Sequence, residues 1–263
     1  RPIKFLTNMN VLPKLLAVTS FCWLLRTTLI LALAWQQKQK GQRIQSRNIK
    51  SSSIQYPSVS ILIPAFNEER SIKRCLLSCL ASDYDNKEII LIDDGSTDKT
   101  TTQAETTLQS YPDANIHIIR LQTNQGKTIA LNHGLKSAKG ELVVTLDADT
   151  FFSQCDSLFR LISPLIHQQR LSVTTANLHV LHTNEVLGMV QKIEYTKFLN
   201  SSKRAQSLLK SIMILPGAMS AFRRAALRSI GGFSTRTLAE DADATMQLLA
   251  QGHLLMFQAD CIG

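Results

Sequence analysis

Glu141-Leu-Val-Val-Thr-Leu146, running straight into Asp147-Ala148-Asp149, is the stretch that decides the fold. A run this rich in Val and Leu reads as a strand covered on both faces, which places it inside a parallel-type sheet. Two acids spaced by one small residue at the end of such a strand face a cleft rather than the core. A pair of this kind can hold a hard divalent cation through oxygen.

Two more strand ends of the same type lie upstream. Val59-Ser-Ile-Leu-Ile63 opens into Pro64-Ala65-Phe66-Asn67-Glu68, and Glu88-Ile-Ile-Leu-Ile92 runs into Asp93-Asp94-Gly95-Ser96. Further strands are predicted near 116–121 and 172–180, with helical patterns near 68–80, 97–109, 126–138 and 156–168. Strands alternating with short helices define an α/β chain of stacked βαβ units around a mostly parallel sheet. Polar groups at three strand ends predict one ligand site along the edge of that sheet. After 180 the spacing predicts a long amphipathic helix over 186–210, with Val186, Met189, Val190, Ile193 and Lys197 marking its faces. Next come Pro216-Gly217-Ala218, a short strand into Phe222, a basic helix near 223–230 and a last helix from Glu240-Asp241 to Gln251. The apolar run before Cys261-Ile262-Gly263 reads as a strand.

The formal charge of +9 resembles a nucleic-acid signal until it is mapped along the 263 residues. Residues 1–58 hold nine Lys or Arg and no acid, which leaves 20 bases against 20 acids in the remainder. A formally neutral globular part disfavours nucleic acid as a partner. The excess instead flanks the hydrophobic stretch Leu15–Trp35, which is followed by Lys38, Lys40, Arg43, Arg47 and Lys50. That length matches a bilayer span, and the basic flank is the kind retained in the cytoplasm. The expected location is therefore the membrane, in contact with lipid, with the downstream domain on the cytoplasmic side. Arg26 near the middle costs roughly 2.5 to 3.5 kcal/mol on insertion scales, so an interfacial helix is the alternative to a true span. The chain divides into a membrane segment at 1–35, a basic polar linker at 36–58 and a globular domain at 59–263.

Cys22, Cys75, Cys79, Cys155 and Cys261 include no C-x-x-C pair. Reduced thiols are expected, with Cys75 and Cys79 sharing one buried helix face. No Cys/His grouping has zinc spacing, and none of the six histidines is assigned to chemistry. No G-x-G-x-x-G follows the first strand, which disfavours a dinucleotide-dependent dehydrogenase.

Taken in order, Val59-Ser-Ile-Leu-Ile-Pro-Ala-Phe-Asn-Glu68, Asp93-Asp-Gly-Ser96, Asn124-Gln-Gly-Lys127, Asp147-Ala-Asp149, Gln191-Lys-Ile-Glu-Tyr195, Pro216-Gly-Ala218 and Ala239-Glu-Asp241 resemble the motifs of family 2 glycosyltransferases. The likeness is greatest to the membrane-bound processive synthases that make poly-N-acetylglucosamine, chitin and hyaluronan. It implies a Rossmann-like glycosyltransferase-A domain at 59–263 that takes a UDP-sugar donor, a polysaccharide or oligosaccharide acceptor and a divalent cation, Mg2+ or Mn2+. By position, Pro64, Ala65, Phe66 and Glu68 would border the uridine and Asp94 would accept from the uracil ring. Lys127 would lie near the nucleotide, Asp147 and Asp149 would serve ribose and the metal diphosphate, and Asp241 would be the catalytic base. Many members carry Thr where Ala239 stands. The Gln-x-x-Arg-Trp motif of processive members is absent from these residues, so a domain truncated at its C-terminal end is expected.

The chemistry behind these assignments is electrostatic. A departing diphosphate gains negative charge, which a metal on Asp149 and Asp147 would neutralise. An attacking hydroxyl must lose its proton away from that metal, and Asp241 suits the task at a helix start whose dipole favours the ionised form. Glu240 or Asp243 could fill the same role. Arg223 and Arg224 read as a solvated helix start. Leu146-Asp147-Ala-Asp-Thr150 also fits the strand-end motif of haloacid-dehalogenase-like phosphatases, in which Asp147 would be the nucleophile. That motif follows a first core strand, whereas three strands precede it here. A catalytically silent nucleotide-binding module is the remaining alternative.

Overall fold

The computed structural model describes residues 11–45, 56–181, 186–195, 200–209, 212, 215–237 and 239–263. Strands β1 (Val59–Ala65), β2 (Lys87–Asp93), β3 (Ile116–Arg120), β4 (Leu142–Leu146), β5 (Leu171–Asn177), β6 (Met219–Arg223) and β7 (Leu254–Ile262) form one sheet in the order β3-β2-β1-β4-β6-β5-β7. The pairs β1–β2, β1–β4, β2–β3 and β5–β7 are parallel, and β6 runs antiparallel to both β4 and β5. The mostly parallel α/β sheet read from the sequence is thus present, with one reversed strand inserted.

Every residue of β1 and β4 is buried, as the continuous apolar runs require of strands covered on both faces. Alternation still sorts their side chains. Ile61, Ile63 and Val144 pack with Leu76 and Leu161 on one face, and Leu62, Ile90 and Val143 pack with Leu131 and Leu248 on the other. The first face is covered by helices α2 (Ile72–Leu80), α3 (Thr100–Gln109) and α5 (Ser157–His167). The second is covered by α4 (Lys127–Ser137), α8 (Arg224–Ser229) and α9 (Glu240–Ala250). Right-handed crossovers travelling in opposite directions along a sheet put their helices on opposite faces. The change of face from α3 to α4 therefore marks a switch point between β1 and β4.

That switch point opens a gap. The β1–β4 ladder ends at Leu62↔Thr145, whereas β1 stays paired with β2 as far as Ala65↔Asp93. Beyond Leu62 the two central strands diverge, and Pro64, which has no N–H to give, falls where no β4 partner asks for one. Ligands of open α/β sheets bind at such a crevice.

At the opposite end of the sheet Glu88 is buried and fully engaged. It accepts from Ser60 Oγ at 2.5 Å and from the Lys139 backbone N–H at 2.7 Å. Burial raises its pKa, but these donors outweigh burial and hold the carboxyl below its usual value. Gly140 has no room for a side chain, because a Cβ there would lie 2.5 Å from the Ser60 nitrogen.

Two expectations need correction. Arg223 and Arg224 are half-buried and structural rather than solvated: Arg223 donates to the carbonyls of Leu165 and Leu171, and Arg224 to that of Ala138. The last turn of α5, the start of β5 and the end of α4 present carbonyls that these guanidinium groups reach. The helix expected over 186–210 is described as α6 (Val186–Glu194) and α7 (Ser202–Leu208), while Lys197 lies outside the described residues. Met189, Val190 and Ile193 of α6 are all exposed.

The N-terminal helix α1 spans Val11–Gln45. Its segment Val18–Gln36, with a mean hydropathy of 1.5, is long and apolar enough to cross a membrane. Phe21, Leu24, Leu25, Leu29 and Trp35 are exposed, whereas Ala34 is buried. Arg26 lines a small cavity between α1 and α7 together with Trp23, Thr27 and Ser202.

Candidate active site

Three loops meet at the crevice, and their own side chains knit them together. Asn67, in the left-handed region at φ 56°, accepts from the Thr97 N–H at 2.8 Å, and its N–H donates to Ser96 Oγ at 3.0 Å. The Glu68 N–H donates to Thr100 Oγ1 at 2.7 Å, so the loop after β1 is pinned to the loop after β2. Asp94 pins the third. Its two carboxylate oxygens accept the backbone N–H groups of Gln125 (2.9 Å) and Gly126 (2.7 Å). Gly95, at φ +71°, is required here, because a Cβ would come within 2.6 Å of the Thr123 backbone.

The double acid at 93–94 splits its duties. Asp93 accepts from the Ser96 N–H at 2.9 Å and from the Thr101 hydroxyl, turning the chain into α3. Only Asp94 reaches the crevice.

The result is a cavity of about 270 Å3 lined by Pro64, Ala65, Phe66, Glu68, Asp94 and Lys127 with Asp147, Ala148 and Asp149. Every residue assigned to the nucleotide or the metal from the sequence is in that wall. Asn124 and Gly126 complete it, at the turn into α4.

Asp241 is not in this wall. It lines an adjoining space of about 10 Å3 with Pro216, Gly217 and Glu240. Its Oδ2 accepts the Gly217 N–H at 3.0 Å and its Oδ1 the Ala242 N–H at 2.7 Å, in the first turn of α9. Of the alternatives, Asp243 is tied to Arg236 at 3.1 Å and to Gln247 at 2.6 Å. Glu240 turns the other way and meets Lys127.

Lys127 joins the two spaces. Its ammonium lies 2.5 Å from Asp147 Oδ1 and 3.5 Å from Glu240 Oε1. Burial disfavours the charge, but the Asp147 and then the Glu240 carboxylates outweigh it, and the pKa sits above the ordinary lysine value. Lys203 of α7 is also buried; desolvation lowers its pKa against an opposing pull from Asp241. Neither the Lys127–Glu240 pair nor the approach of Lys203 to Asp241 is visible in the sequence, since each joins segments far apart in the chain.

The acid pair suits a hard cation. Asp147 Oδ1 is buried and accepts no well-aligned hydrogen bond among the described residues, its close neighbour being a positive charge. Asp149 is exposed at the mouth, and its Oδ1 accepts from Thr150 Oγ1 at 3.1 Å. Among the described residues no three His, Cys, Asp or Glu side chains gather into a full protein cage. Two carboxylates completed by phosphate oxygens and water are the usual pattern for Mg2+ beside a nucleotide. The backbone around the pair is held by the Asp147 N–H donating to the Ala218 carbonyl at 2.9 Å.

Comparison with known proteins agrees with this geometry. The profile of Glycosyl transferase family 2 matches residues 60–231. Poly-beta-1,6-N-acetyl-D-glucosamine synthase of Staphylococcus epidermidis is 34% identical over 200 residues, which cover 76% of this chain and 48% of that protein. The Staphylococcus aureus COL synthase of the same name is 32% identical over the same shares. The chain thus spans about half the length of these relatives. Among solved structures, a mannosyltransferase from Pyrobaculum calidifontis in complex with GDP-Man and Mn2+ superposes with a TM-score of 0.70 at 22% identity, covering 90% of this chain and 67% of that one. S. aureus TarS in complex with UDP-GlcNAc gives 0.57 at 20% identity, covering 78% of this chain and 59% of that one. The fold is therefore that of the glycosyltransferase-A enzymes.

Proposed function

The chain belongs to glycosyl transferase family 2, and from that membership we propose that it moves N-acetylglucosamine from a UDP-sugar onto a growing β-linked polysaccharide, with inversion at the sugar carbon and with a divalent cation. The observation that carries the reading is the single cavity in which the ends of β1, β2 and β4 bring Pro64, Phe66, Asp94, Asp147 and Asp149 together. Phe66 and Pro64 offer an apolar wall for the uracil, and Asp94 stands beside it. Family membership leaves no place for Asp147 as a phosphatase nucleophile.

Asp147 and Asp149 would hold Mg2+ or Mn2+. Such a cation, when bound, offsets the charge that gathers on a departing diphosphate. Lys127 adds a second positive charge at the same end of the cavity. Asp241 takes the proton of the acceptor hydroxyl. Its two hydrogen bonds fix the carboxylate, and neither involves the metal pair. Placing the base in its own space keeps it from being captured by the cation. The α1 helix anchors the domain to lipid, with the catalytic side in the cytoplasm.

The test uses two variants and several donors. Asp149→Ala and Asp241→Asn should each lower sugar transfer by about 10²-fold or more, but only Asp149→Ala should weaken metal-dependent UDP binding. Equal UDP affinity in the two variants would refute the division of labour. UDP-N-acetylglucosamine should outperform UDP-glucose and UDP-glucuronate with Mg2+ or Mn2+, and absence of transfer from all three donors would leave only a silent binding module.

A further inference from the structure

Lys127 occupies the position a dication would contest. Its ammonium is 2.5 Å from Asp147 Oδ1, on the same carboxylate that a metal needs, and 3.5 Å from a second carboxylate, Glu240 Oε1. The lysine side chain is 35% exposed against 28% for Asp147 and 12% for Glu240, so solvent reaches Lys127 more easily than either acid. It stands at the first position of α4, just after the turn that Asp94 fixes. The stem is therefore anchored at the helix start, and the ammonium lies within reach of both carboxylates.

Like charges cannot share the oxygen. A divalent ion arriving at Asp147 and Asp149 repels the ammonium at close range, and in a half-buried site that repulsion is poorly screened. The diphosphate of a nucleotide sugar offers the displaced ammonium a new anionic partner, and Glu240 holds it in the interim. We infer that Lys127 is a resident counter-cation which metal and nucleotide displace together from Asp147, so that each binds weakly alone and strongly in the presence of the other. The inference rests on the cation-dependent donor site proposed above.

Because coupling between two ligands is reciprocal, it can be measured from either side. The full chain in detergent is titrated with Mn2+, with and without UDP, by calorimetry and by the electron paramagnetic resonance signal of free Mn2+. UDP should tighten Mn2+ binding in the wild type by a factor on the order of 10². In Lys127→Met, Mn2+ alone should bind about tenfold more tightly and the enhancement by UDP should shrink about tenfold. In Glu240→Gln the lysine loses its interim partner and leans on Asp147, so Mn2+ alone should bind several-fold more weakly and the enhancement should grow. A thermal melt of each variant controls for folding, and Lys127→Gln repeats the test with a polar replacement.

A static loss of one charge would change both Mn2+ affinities in parallel and leave the enhancement as in the wild type. That result overturns the inference while leaving the donor site standing. No Mn2+ binding by the wild type even with UDP overturns the cation-dependent reading itself.

Discussion

Removing the Asp94 carboxylate should cost stability as well as nucleotide affinity, because its oxygens already accept two backbone N–H groups, from Gln125 at 2.9 Å and Gly126 at 2.7 Å. A hydrogen bond to a charged group is worth roughly 1.5 to 3 kcal/mol, so the pair represents about 3 to 6 kcal/mol before compensation. Gln125 is exposed, and water can satisfy its N–H once the carboxylate is gone. Asp94 itself is only 3% exposed, so the vacated space near Gly126 is less easily hydrated. Halving the sum for hydration leaves about 1.5 to 3 kcal/mol for Asp94→Ala. In a chain of this size that corresponds to a fall of roughly 3 to 12 °C in melting temperature. Asp94→Asn keeps one acceptor and turns an amide against the other N–H, so it should fall between the two. The assay is a circular dichroism melt of each variant without nucleotide, paired with calorimetric titration of UDP. A wild-type melting temperature in Asp94→Ala, together with lost UDP binding, would show that the residue acts on the ligand alone and would refute the stapling argument.

Two further outcomes follow from close contacts elsewhere. A Cβ at Gly217 would lie 3.2 Å from Asp241 Oδ2, so Gly217→Ala should displace the carboxylate and reduce kcat by about tenfold while leaving the donor KM unchanged; a raised KM at constant kcat would count against it. The folded-state pKa of Glu88 is held below its ordinary 4.5, so its contribution is present above that value and is lost as pH falls through the folded pKa. Urea midpoints of the wild type should therefore drop with acidification below pH 4.5, whereas Glu88→Gln should be about 1 to 2 kcal/mol less stable at neutral pH and flatter in that window; parallel pH curves would refute the role given to this carboxylate.

The proposed donor half of the site was legible because it obeys local rules. Three strands, buried apart from Lys87, announce themselves by runs rich in Val, Ile and Leu, and polar residues just past such strands point to the sheet edge. Pro64, Phe66, Asp94, Asp147 and Asp149 are caught that way, whereas Lys127 at the start of α4 comes from the family resemblance. The strand pattern by itself does not distinguish Asp93 from Asp94, because direction at a strand end depends on the next turn rather than on residue type; only the family resemblance singles out Asp94. Nor does periodicity reveal that β6 runs antiparallel, since a five-residue buried strand reads the same in both directions. Arg223 looked solvated because charge usually is, yet its guanidinium closes the carbonyls of Leu165 and Leu171. The left-handed Asn67 is hidden for a related reason: its neighbours in space, Ser96 and Thr97, belong to another loop.

The proposed acceptor half of the site depends on a link that no local rule supplies. Successive residues of one turn hold the two chemistries: the Gly217 N–H donates to Asp241 Oδ2, and the Ala218 carbonyl accepts from the Asp147 N–H. Thr145, the last residue of β4 opposite β1, donates to the Gly217 carbonyl at 3.3 Å and braces the same turn from below. The spacing between the proposed metal-binding segment and the proposed base is therefore set by the two residues Gly217 and Ala218 rather than by the flexibility of α9. The backbone path from the 147–149 loop to Asp241 runs through Ala218 and Gly217, beside the side-chain bridge of Lys127 between Asp147 and Glu240. If Asp241 is the base as proposed, Pro216-Gly217-Ala218 belongs to the catalytic geometry even though Gly217 and Ala218 carry no chemistry of their own, and a methyl group at position 217 should be felt in kcat rather than in donor affinity.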